Sequence, residues 1–310
     1  MIPRLKVLFL GNHTVGVRTL RALRRVSDVA GVVAHPDDPE DGVRYESVFA
    51  EAHRLGVPAI RAEGRSDRAG NFARACAPDL LWVTDYRYLL PAAVVGLAPR
   101  GAVNLHPSLL PRYRGRASIN WAIIRGETEL GLSAHWIDAG MDTGNILAQR
   151  RYTLGPDEDV GDALAKLYPL YEAITADVMA QIARGPVAGT PQDHAAATEF
   201  PRRRPEDGAI DWDRPAQEIR NLIRAVAAPY PGAFGAVRGA RLRIWQAGSV
   251  RAFAPGTRPL PGESLEIAAD FSRLTVACAD AVLEITRFEI EAGVLEPPAV
   301  ASLPPGGPAP

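Results

Sequence analysis

Short apolar segments alternate with helix-forming segments along the first two-thirds of this chain, and this alternation constrains the fold more than any other feature. Strands are predicted at residues 5–10, 29–35, 57–60, 79–84 and 101–105. Helical patterns separate them, among others at residues 44–56 and 67–76. Because parallel strands must be joined by crossover connections, this order predicts an α/β fold with a doubly wound, mainly parallel sheet.

The alternation ends near residue 184, and the rest of the chain has a different composition. Residues 117–125 and 160–182 are predicted as helices, and residues 130–138 and 145–153 as strands, which completes a first domain over residues 1–188. The segment 189–205 is rich in Gly, Pro, Ala and Arg and is predicted as a surface linker.

A smaller second domain is predicted over residues 206–295. A short helix in this region places Ile219, Leu222, Ile223 and Val226 on one face, and four short alternating segments follow it. Several short strands with turn signals between them indicate a small β-barrel. The Pro- and Ala-rich residues 296–310 are predicted to be a disordered tail.

Composition excludes several functional classes. The 310 residues carry a net charge of −1, which provides no general attraction for nucleic acid or for an anionic membrane. No apolar segment approaches the roughly 18 residues that a transmembrane helix requires. The two cysteines, Cys76 and Cys278, form no ligand or disulfide pattern. A cytoplasmic protein is therefore expected.

The segment GNHTVG, which follows the first strand, contains two glycines in a spacing that resembles a dinucleotide-binding turn. A third glycine and an acidic residue for the ribose are both absent from the usual context. We therefore interpret Gly11 and Gly16 as parts of a tight turn between strand and helix, and a dehydrogenase is disfavoured.

The strongest functional candidate is the segment GAVNLHPSLLPRYRG at residues 101–115. Asn104 and His106 are two residues apart at the end of a strand, so their side chains point to the same side. Ligands bind at the carboxyl ends of strands in open α/β sheets. An isolated pair of this kind can also merely satisfy backbone groups where a strand becomes a loop.

A catalytic interpretation gains support from IDAGMDTGNILAQ at residues 137–149, which holds Asp138 and Asp142 in a glycine-containing loop. An amide can donate to a developing oxyanion, an imidazole can exchange a proton, and a carboxylate can orient the imidazole and stabilise its cation. This combination suits acyl transfer to an amine. His135 lies in a predicted strand and is interpreted as structural.

The combination of NLHPSLLPRYRG with MDTGNILAQ resembles the folate-dependent formyltransferases, and the resemblance extends from VLFLGNHTVG to PYPGAF at residues 229–234 and beyond. The resemblance implies that residues 1–188 are the catalytic domain, with Asn104, His106 and Asp142 as catalytic residues. It also implies an OB-like fold for the second domain. The family's strand-ending Gln-x-x-Gly motif is replaced here by EIEAG at residues 289–293, which weakens any transfer of tRNA binding to that domain.

The same resemblance implies 10-formyltetrahydrofolate as co-substrate. No metal is expected, since the scattered histidines and carboxylates do not form a ligand set. The implied folate contacts are Tyr88, Leu89, Leu90, Arg116, Asp138, Ala139, Gly140, Met141 and Asp142.

The acceptor is predicted to be the amine of a small metabolite, an amino sugar on a nucleotide. Residues 36–41 carry Asp37, Asp38, Glu40 and Asp41, where members acting on initiator tRNA have a longer basic loop. The surrounding stretch resembles the formyltransferase domain of the bacterial enzyme that modifies aminoarabinose on a nucleotide sugar. Two groups of arginines could hold a diphosphate. The first group is Arg112, Arg114 and Arg116, and the second is Arg202, Arg203 and Arg204.

Other acceptors stay open at this stage. They are hydroxyornithine or a similar amine of siderophore or antibiotic assembly, and methionyl-tRNA. A non-catalytic folate- or nucleotide-binding module is a possibility of a different class, which the intact Asn–His–Asp set disfavours. The sequence does not predict the oligomeric state.

Overall fold

The computed structural model describes residues 4–36, 45–63, 66–268 and 270–293. The chain divides into two compact units, of which one ends at Pro205 and the other begins at Glu206. The acidic residues Asp37, Asp38, Glu40 and Asp41 and the predicted tail 296–310 lie outside the described residues.

The first unit is built on a twisted sheet that has seven strands among the described residues. The strands are β1 (Lys6–Gly11), β2 (Asp28–Ala34), β3 (Ala59–Arg61), β4 (Leu80–Thr84), β5 (Ala102–His106), β7 (Glu129–Trp136) and β8 (Ile146–Thr153). Their order is β3-β2-β1-β4-β5-β7-β8. The first five are parallel to one another, and β7 is antiparallel to both of its neighbours.

Helices connect the strands and cover the sheet. They are α1 (His13–Val26), α2 (Val48–Arg54), α3 (Asp67–Cys76), α4 (Ala92–Val95), α5 (Ser118–Ile124) and α6 (Val160–Arg184). Helices α3 and α4 contribute to a core cluster with Leu8 and Leu81, while α1 contacts β1, β4 and α6. The predicted doubly wound, mainly parallel sheet is confirmed.

The strands β1 and β4 at the centre of the sheet are mostly apolar because both faces of the sheet are covered. All five residues of β4 are buried. Leu81 and Val83 lie in the cluster with α3 and α4. Side chains alternate along a strand, so Trp82 points to the opposite face, beside its register partner Phe9.

The turn after β1 explains both glycines of GNHTVG. A Cβ atom at Gly11 would lie 2.9 Å from the carbonyl oxygen of Thr84 and closer still to the Phe9 ring. At Gly16 it would lie 2.7 Å from a methyl group of Val48. The glycines permit close packing of strand, turn and helix, which agrees with the tight-turn interpretation.

The connections from β1 and β4 run to opposite sides of the sheet, because β2 follows β1 on one side while β5 follows β4 on the other. A crevice forms at the carboxyl ends of the strands where the direction of winding changes, and ligands of such sheets bind there. Asn104 and His106 end β5, one strand away from this crevice.

The segment 189–205 was predicted as a surface linker, yet it is built into the first unit. Its strand β9 (Glu199–Phe200) pairs in parallel with β6 (Arg114–Gly115). The ring of Phe200 stacks on Tyr113 and Trp121, at centroid distances of 5.1 and 5.2 Å. A strand of two residues leaves no periodic pattern in the sequence, so composition alone indicated a linker. The domain boundaries themselves stay a prediction.

The second unit contains α7 (Ala216–Val226) and an antiparallel sheet. Its strands are β10 (Ala233–Val237), β11 (Ala240–Arg251), β12 (Ser264–Ile267), β13 (Leu274–Ala277) and β14 (Val282–Ala292), in the order β10-β11-β14-β13-β12. Strand β10 was not predicted. The described pairs do not join β10 to β12, so closure into an OB-like barrel stays a prediction.

Within the part of the chain that the structure describes, no helix has both the length and the apolar character needed to cross a membrane.

Substitutions at Trp82 test the packing at the centre of the first unit. Trp82 is 0% exposed, and its indole N–H has no hydrogen-bond partner in the described ranges. We expect Trp82→Ala to lower the free energy of unfolding by about 3–5 kcal/mol through loss of buried area and formation of a cavity. Trp82→Phe should cost less than half as much, because it removes an unsatisfied N–H and keeps a ring. Urea denaturation measures both losses, and equal losses would contradict this account.

Candidate active site

Asn104 and His106 project from the end of β5 to the same side of the sheet. The antiparallel neighbour β7 places His135 opposite Asn104. The Asn104 Nδ2 atom lies 3.1 Å from Nε2 of His135. Two strands that are distant in sequence thus bring an amide and two imidazoles together.

Asp142 completes this group from the loop between β7 and β8. Its oxygens lie 3.3 Å from Asn104 Nδ2, 3.5 Å from His106 Nδ1 and 3.5 Å from His135 Nε2. The backbone N–H of Gly115 also donates to the carboxylate, at 2.9 Å. The structure therefore brings the three predicted catalytic residues together, although it does not test their roles.

The shape of the loop explains how Asp142 reaches this position. Asp142 has a φ of 54°, in the left-handed region. A Cβ atom at Gly144 would lie 1.9 Å from the Trp136 carbonyl oxygen, so only glycine fits against that strand. Asp138 accepts hydrogen bonds from the Gly140 N–H, at 3.1 Å, and from the Thr143 hydroxyl, at 2.5 Å. The Asp138 carboxylate therefore holds the turn from within.

The surroundings of Asp142 favour its charged form. Burial by itself would raise the pKa of the carboxyl group, but the neighbouring imidazoles of His106 and His135 and the hydrogen bond from the Gly115 N–H lower the pKa well below its usual range. Asp142 is therefore a carboxylate at neutral pH, and it places a negative charge beside both imidazoles.

The hydrogen bonds of His106 distinguish its two ring nitrogens. His106 is 5% exposed, and its Nε2 atom lies 2.7 Å from the carbonyl oxygen of Tyr113. Since a carbonyl oxygen only accepts, Nε2 carries a proton. The Nδ1 atom faces Asp142, and it is the nitrogen that can gain or lose a proton.

His135 is a site residue that the sequence analysis interpreted as structural. Its Nδ1 atom lies 2.8 Å from the Trp136 carbonyl oxygen, which leaves Nε2 to face Asn104 and Asp142. A single histidine in a strand gives no signal for such a role, because the register between β5 and β7 is not visible in the sequence.

The residues that resemble folate contacts lie on two neighbouring loops. Tyr88, Leu89 and Leu90 follow β4, and residues 138–142 precede β8. Leu89 is 54% exposed and Met141 is 39% exposed, so each loop presents an apolar side chain. Arg116 donates from Nη2 to the carbonyl oxygen of Arg87, at 2.7 Å, next to the first loop. Whether these residues contact folate stays a prediction.

A second polar group, missed by the sequence analysis, occupies the crevice beside β1 and β4. His13 Nδ1 lies 2.8 Å from an oxygen of Asp85, and these two residues directly follow the turn after β1 and the end of β4. Both have positive φ, of 59° and 53°. The signal in the sequence was their position at the carboxyl ends of adjacent strands.

His35, just after β2, belongs to the same group. It is 2% exposed, and its buried Nε2 atom has no hydrogen-bond partner among the residues that the structure describes. Burial lowers the pKa of His35, which keeps the ring neutral near pH 7. The rings of Tyr86 and Tyr88 lie 5.6 and 5.9 Å from that of His35. The crevice wall is therefore aromatic and rich in hydrogen-bonding groups.

Gln192 connects the segment 189–205 to the candidate active site. Its Nε2 atom donates to the carbonyl oxygens of Asp142 and Gly144, at 2.8 and 2.7 Å. Its Oε1 atom accepts from Nη2 and Nε of the buried Arg114, at 2.6 and 3.2 Å. One buried amide thus joins the Asp142 loop to the guanidinium of the β6 strand.

Thr198 supports the other side of the same site. The backbone N–H of Tyr113 donates to the Thr198 hydroxyl, at 2.9 Å, and that of Arg114 donates to the Thr198 carbonyl, at 2.8 Å. Tyr113 is the residue whose carbonyl oxygen holds His106. The β6–β9 ribbon therefore positions both Asp142 and His106.

Among the residues that the structure describes, no three His, Cys, Asp or Glu side chains are grouped so that they could hold a metal ion.

Comparison with known proteins identifies related sequences over nearly the whole chain. The sequence model of the Formyl transferase family matches residues 5–176, and that of the Formyl transferase C-terminal domain matches residues 203–297. A methionyl-tRNA formyltransferase of Sorangium cellulosum is 37% identical over 297 residues, which cover 93% of this chain and 92% of the relative.

Solved structures with the same fold are more distant in sequence. An N-formyltransferase from Helicobacter canadensis, in complex with folinic acid and dTDP-3-aminofucose, has a TM-score of 0.66 at 18% identity and covers 92% of this chain and all of its own. HypX from Aquifex aeolicus in complex with tetrahydrofolic acid has a TM-score of 0.59 at 19% identity over 93% of this chain. This chain spans 45% of the length of HypX.

Gln192→Glu tests whether Gln192 positions the Asp142 loop. Glutamate can still accept from Arg114, so we expect little change in melting temperature. It cannot donate to the carbonyl oxygens of Asp142 and Gly144, and it repels them. We therefore expect kcat to fall at least tenfold for any amine that the protein formylates, with a smaller change in KM.

The matched control is Gln217→Glu, at an exposed position on α7 where the glutamine donates to Asn221. This control should leave both parameters unchanged. An unaltered kcat in the stable Gln192→Glu protein would show that Gln192 does not position the loop.

Proposed function

The chain belongs to the formyl transferase family, and we propose that its acceptor is the amine of a small metabolite, an amino sugar carried on a nucleotide. Family membership makes the protein a folate-dependent N-formyltransferase with 10-formyltetrahydrofolate as co-substrate. The statement about the acceptor rests on the polar wall of the crevice between β1 and β4.

The residues around Asp142 fit a folate. Leu89 and Met141 present exposed apolar side chains on the two loops beside the site, which suits a flat heterocycle and its aromatic extension. Asp142 and the backbone of residues 88–90 offer hydrogen-bonding groups. When bound, 10-formyltetrahydrofolate supplies the formyl group; the remaining chemistry falls to the side chains of this chain.

Asn104 is proposed to stabilise the negative charge that develops on the formyl oxygen. Its amide already donates to His135 and, over the longer distance of 3.3 Å, to Asp142. The longer bond is the one that a substrate oxygen would replace. Donors aimed at a developing oxyanion in a buried site are worth about 3–4 kcal/mol.

His106 is proposed to take the proton that the attacking amine loses and to return it to the tetrahydrofolate nitrogen when the bond between that nitrogen and the formyl carbon breaks. The proton goes to Nδ1, because Nε2 already donates to the Tyr113 carbonyl. The resulting cation lies between that carbonyl oxygen and the carboxylate of Asp142, both of which stabilise positive charge. As an imidazolium, His106 also helps Asn104 to neutralise the oxyanion.

The acceptor proposal follows from the groups that face the crevice. The His13–Asp85 pair and the buried Nε2 of His35, which has no partner within the described part of the chain, provide hydrogen-bond donors and acceptors. These groups match the hydroxyl groups of a sugar. A methionyl side chain offers no hydrogen bond to the buried Nε2 of His35, which costs about 1–3 kcal/mol relative to a sugar hydroxyl that pairs with it. The aromatic rings of Tyr86 and Tyr88 suit the apolar faces of a sugar ring.

Initiator methionyl-tRNA is the second candidate acceptor. It is favoured by the relative of Sorangium cellulosum, which bears that activity in its name and is 37% identical. The near-neutral net charge of −1 argues against it, because binding along a polyanion requires an excess of basic residues.

The first test concerns the catalytic group. We expect His106→Ala and Asn104→Ala to lower kcat by about 10²–10³ with little change in the affinity for tetrahydrofolate, because both side chains act mainly in the transition state. Asp142→Asn should lower kcat to a similar extent, since it keeps the shape and removes the charge. The control is His53→Ala, at an exposed histidine on α2. Near-normal turnover in any of the three variants would remove that residue from the mechanism.

The second test concerns the acceptor. The protein is incubated with 10-formyltetrahydrofolate and, separately, with nucleotide-linked amino sugars, hydroxyornithine and charged initiator tRNA, and the formylated products are quantified by mass spectrometry. We expect kcat/KM for an amino-sugar nucleotide to exceed that for the tRNA at least a hundredfold. Formylation of methionyl-tRNA without turnover of any small amine would refute the proposal.

A further inference from the structure

A second binding region lies beside Asp142, in a cleft of about 510 Å³ within the first unit. Its lining residues come from the end of the β6–β9 ribbon and from the Asp142 loop: Arg116, Met141, Glu199, Phe200, Pro201 and Arg202. Cavities of this size accommodate small ligands of the dimensions of a nucleotide.

The cleft is built on a fixed framework. Gly115 pairs with Phe200, and the backbone N–H of Arg116 donates to the Phe200 carbonyl oxygen at 3.0 Å. A Cβ atom at Gly115, whose φ is +90°, would lie 2.4 Å from that same carbonyl oxygen. Only glycine allows this close approach, so the cleft has a defined shape.

Five of the six arginines in the two predicted groups have distinct surroundings in the structure. Arg112 pairs with Glu127, at 3.2 Å, and the buried Arg114 donates to Gln192. The guanidinium of Arg203 lies 4.8 Å from the centre of the Trp121 ring. Arg116 and Arg202 are the two members that line the cleft.

Arg116 is suited to hold an anion. Its guanidinium is oriented by one hydrogen bond, from Nη2 to the Arg87 carbonyl at 2.7 Å, and among the described residues it forms no ion pair with a carboxylate. A planar guanidinium held in this way can present its other N–H groups to phosphate oxygens in pairs.

The remaining lining residues limit which anion fits. Phe200 and Pro201 form an apolar surface that suits a nucleobase or the carbon face of a sugar. Glu199 adds one carboxylate, which can accept hydrogen bonds from a ribose diol as acidic residues do in nucleotide sites. That carboxylate would repel a continuous chain of phosphates, so a compact anion with hydroxyl groups matches the cleft better than RNA does.

We propose that this cleft binds the nucleoside diphosphate part of the acceptor, with Arg116 and Arg202 on the phosphates and Glu199 on the ribose. The inference rests on the proposed nucleotide-linked amino sugar. It also accounts for the position of the cleft. Met141 precedes Asp142 in the chain, and the neighbour of Arg116, Gly115, donates to the Asp142 carboxylate. A diphosphate held here lies next to the site where the amine must react.

Equilibrium binding tests the cleft independently of turnover. Titration calorimetry of the full chain with UDP, dTDP, inorganic pyrophosphate, uridine and tetrahydrofolate compares wild type with Arg202→Gln and Glu199→Gln. We expect UDP or dTDP to bind wild type with Kd below 1 mM (about −4 kcal/mol) and more tightly than pyrophosphate or uridine. Arg202→Gln should weaken nucleoside diphosphate binding about tenfold, and Glu199→Gln should weaken it severalfold, without altering tetrahydrofolate affinity.

The matched control is Arg68→Gln, at an exposed arginine on α3 that lies away from the cleft. It should leave every affinity unchanged. Weaker tetrahydrofolate binding in Arg202→Gln, with unaltered nucleotide binding, would assign the cleft to the folate tail and overturn the proposal. Equal binding of pyrophosphate and UDP would also overturn it, since the apolar surface and Glu199 would then have no role.

The outcomes for the cleft and for the proposed acceptor can be told apart. If nucleotide-linked amino sugars are formylated equally well by wild type and by Arg202→Gln, the acceptor assignment holds and the cleft assignment is wrong. If Arg202→Gln weakens UDP or dTDP binding but no nucleotide-linked amine is formylated, the cleft assignment holds and the acceptor assignment is wrong.

Discussion

The negative charge of Asp142 is the constraint on which the surrounding structure depends. A carboxylate removed from water is costly unless charges and hydrogen-bond donors compensate for it. Here the compensation comes from the Gly115 N–H, Asn104, His106 and His135. These groups belong to the ribbon strand β6 and to the sheet strands β5 and β7, so a single carboxylate holds together segments that are distant in sequence. The same charge stabilises a proton on the imidazole beside it. The carboxylate whose burial is costly for folding therefore also supports the proposed proton transfer to His106.

Patterns that arise from local burial were readable in the sequence. The strand β4 is buried throughout and apolar up to its last residue, Thr84, because both faces of the sheet are covered, and α3 was predicted with the bounds it has. Asn104 and His106 were identifiable because alternation places them on one side of a strand end. The role of His135 was not, because it depends on the register of β7 against β5, and register is set by the packing of the whole sheet.

Short elements and contacts made by loops were also invisible. The two-residue strand β9 has no period of its own, and its Pro- and Arg-rich flanks indicated a linker. The pair formed by His13 and Asp85 arises only when β1 and β4 become neighbours in the sheet. Family resemblance identified Asp142, which local pattern alone offered only as one of two loop carboxylates. The sequence also did not show which arginines form ion pairs, which one is buried and which ones line the cleft, because these contacts depend on the fold.

The β6–β9 ribbon has a consequence for how this protein can be divided. Gln192, Thr198 and Phe200 come after the sheet and its last helix, yet they complete the surroundings of Asp142 and His106. A fragment that stopped at residue 188 would retain the whole sheet and lose these supports, whereas one that continued to Pro205 would keep them. The smallest piece of chain that can be inherited or recombined with its chemistry intact is therefore longer than the α/β sheet, and its natural junction lies after the ribbon.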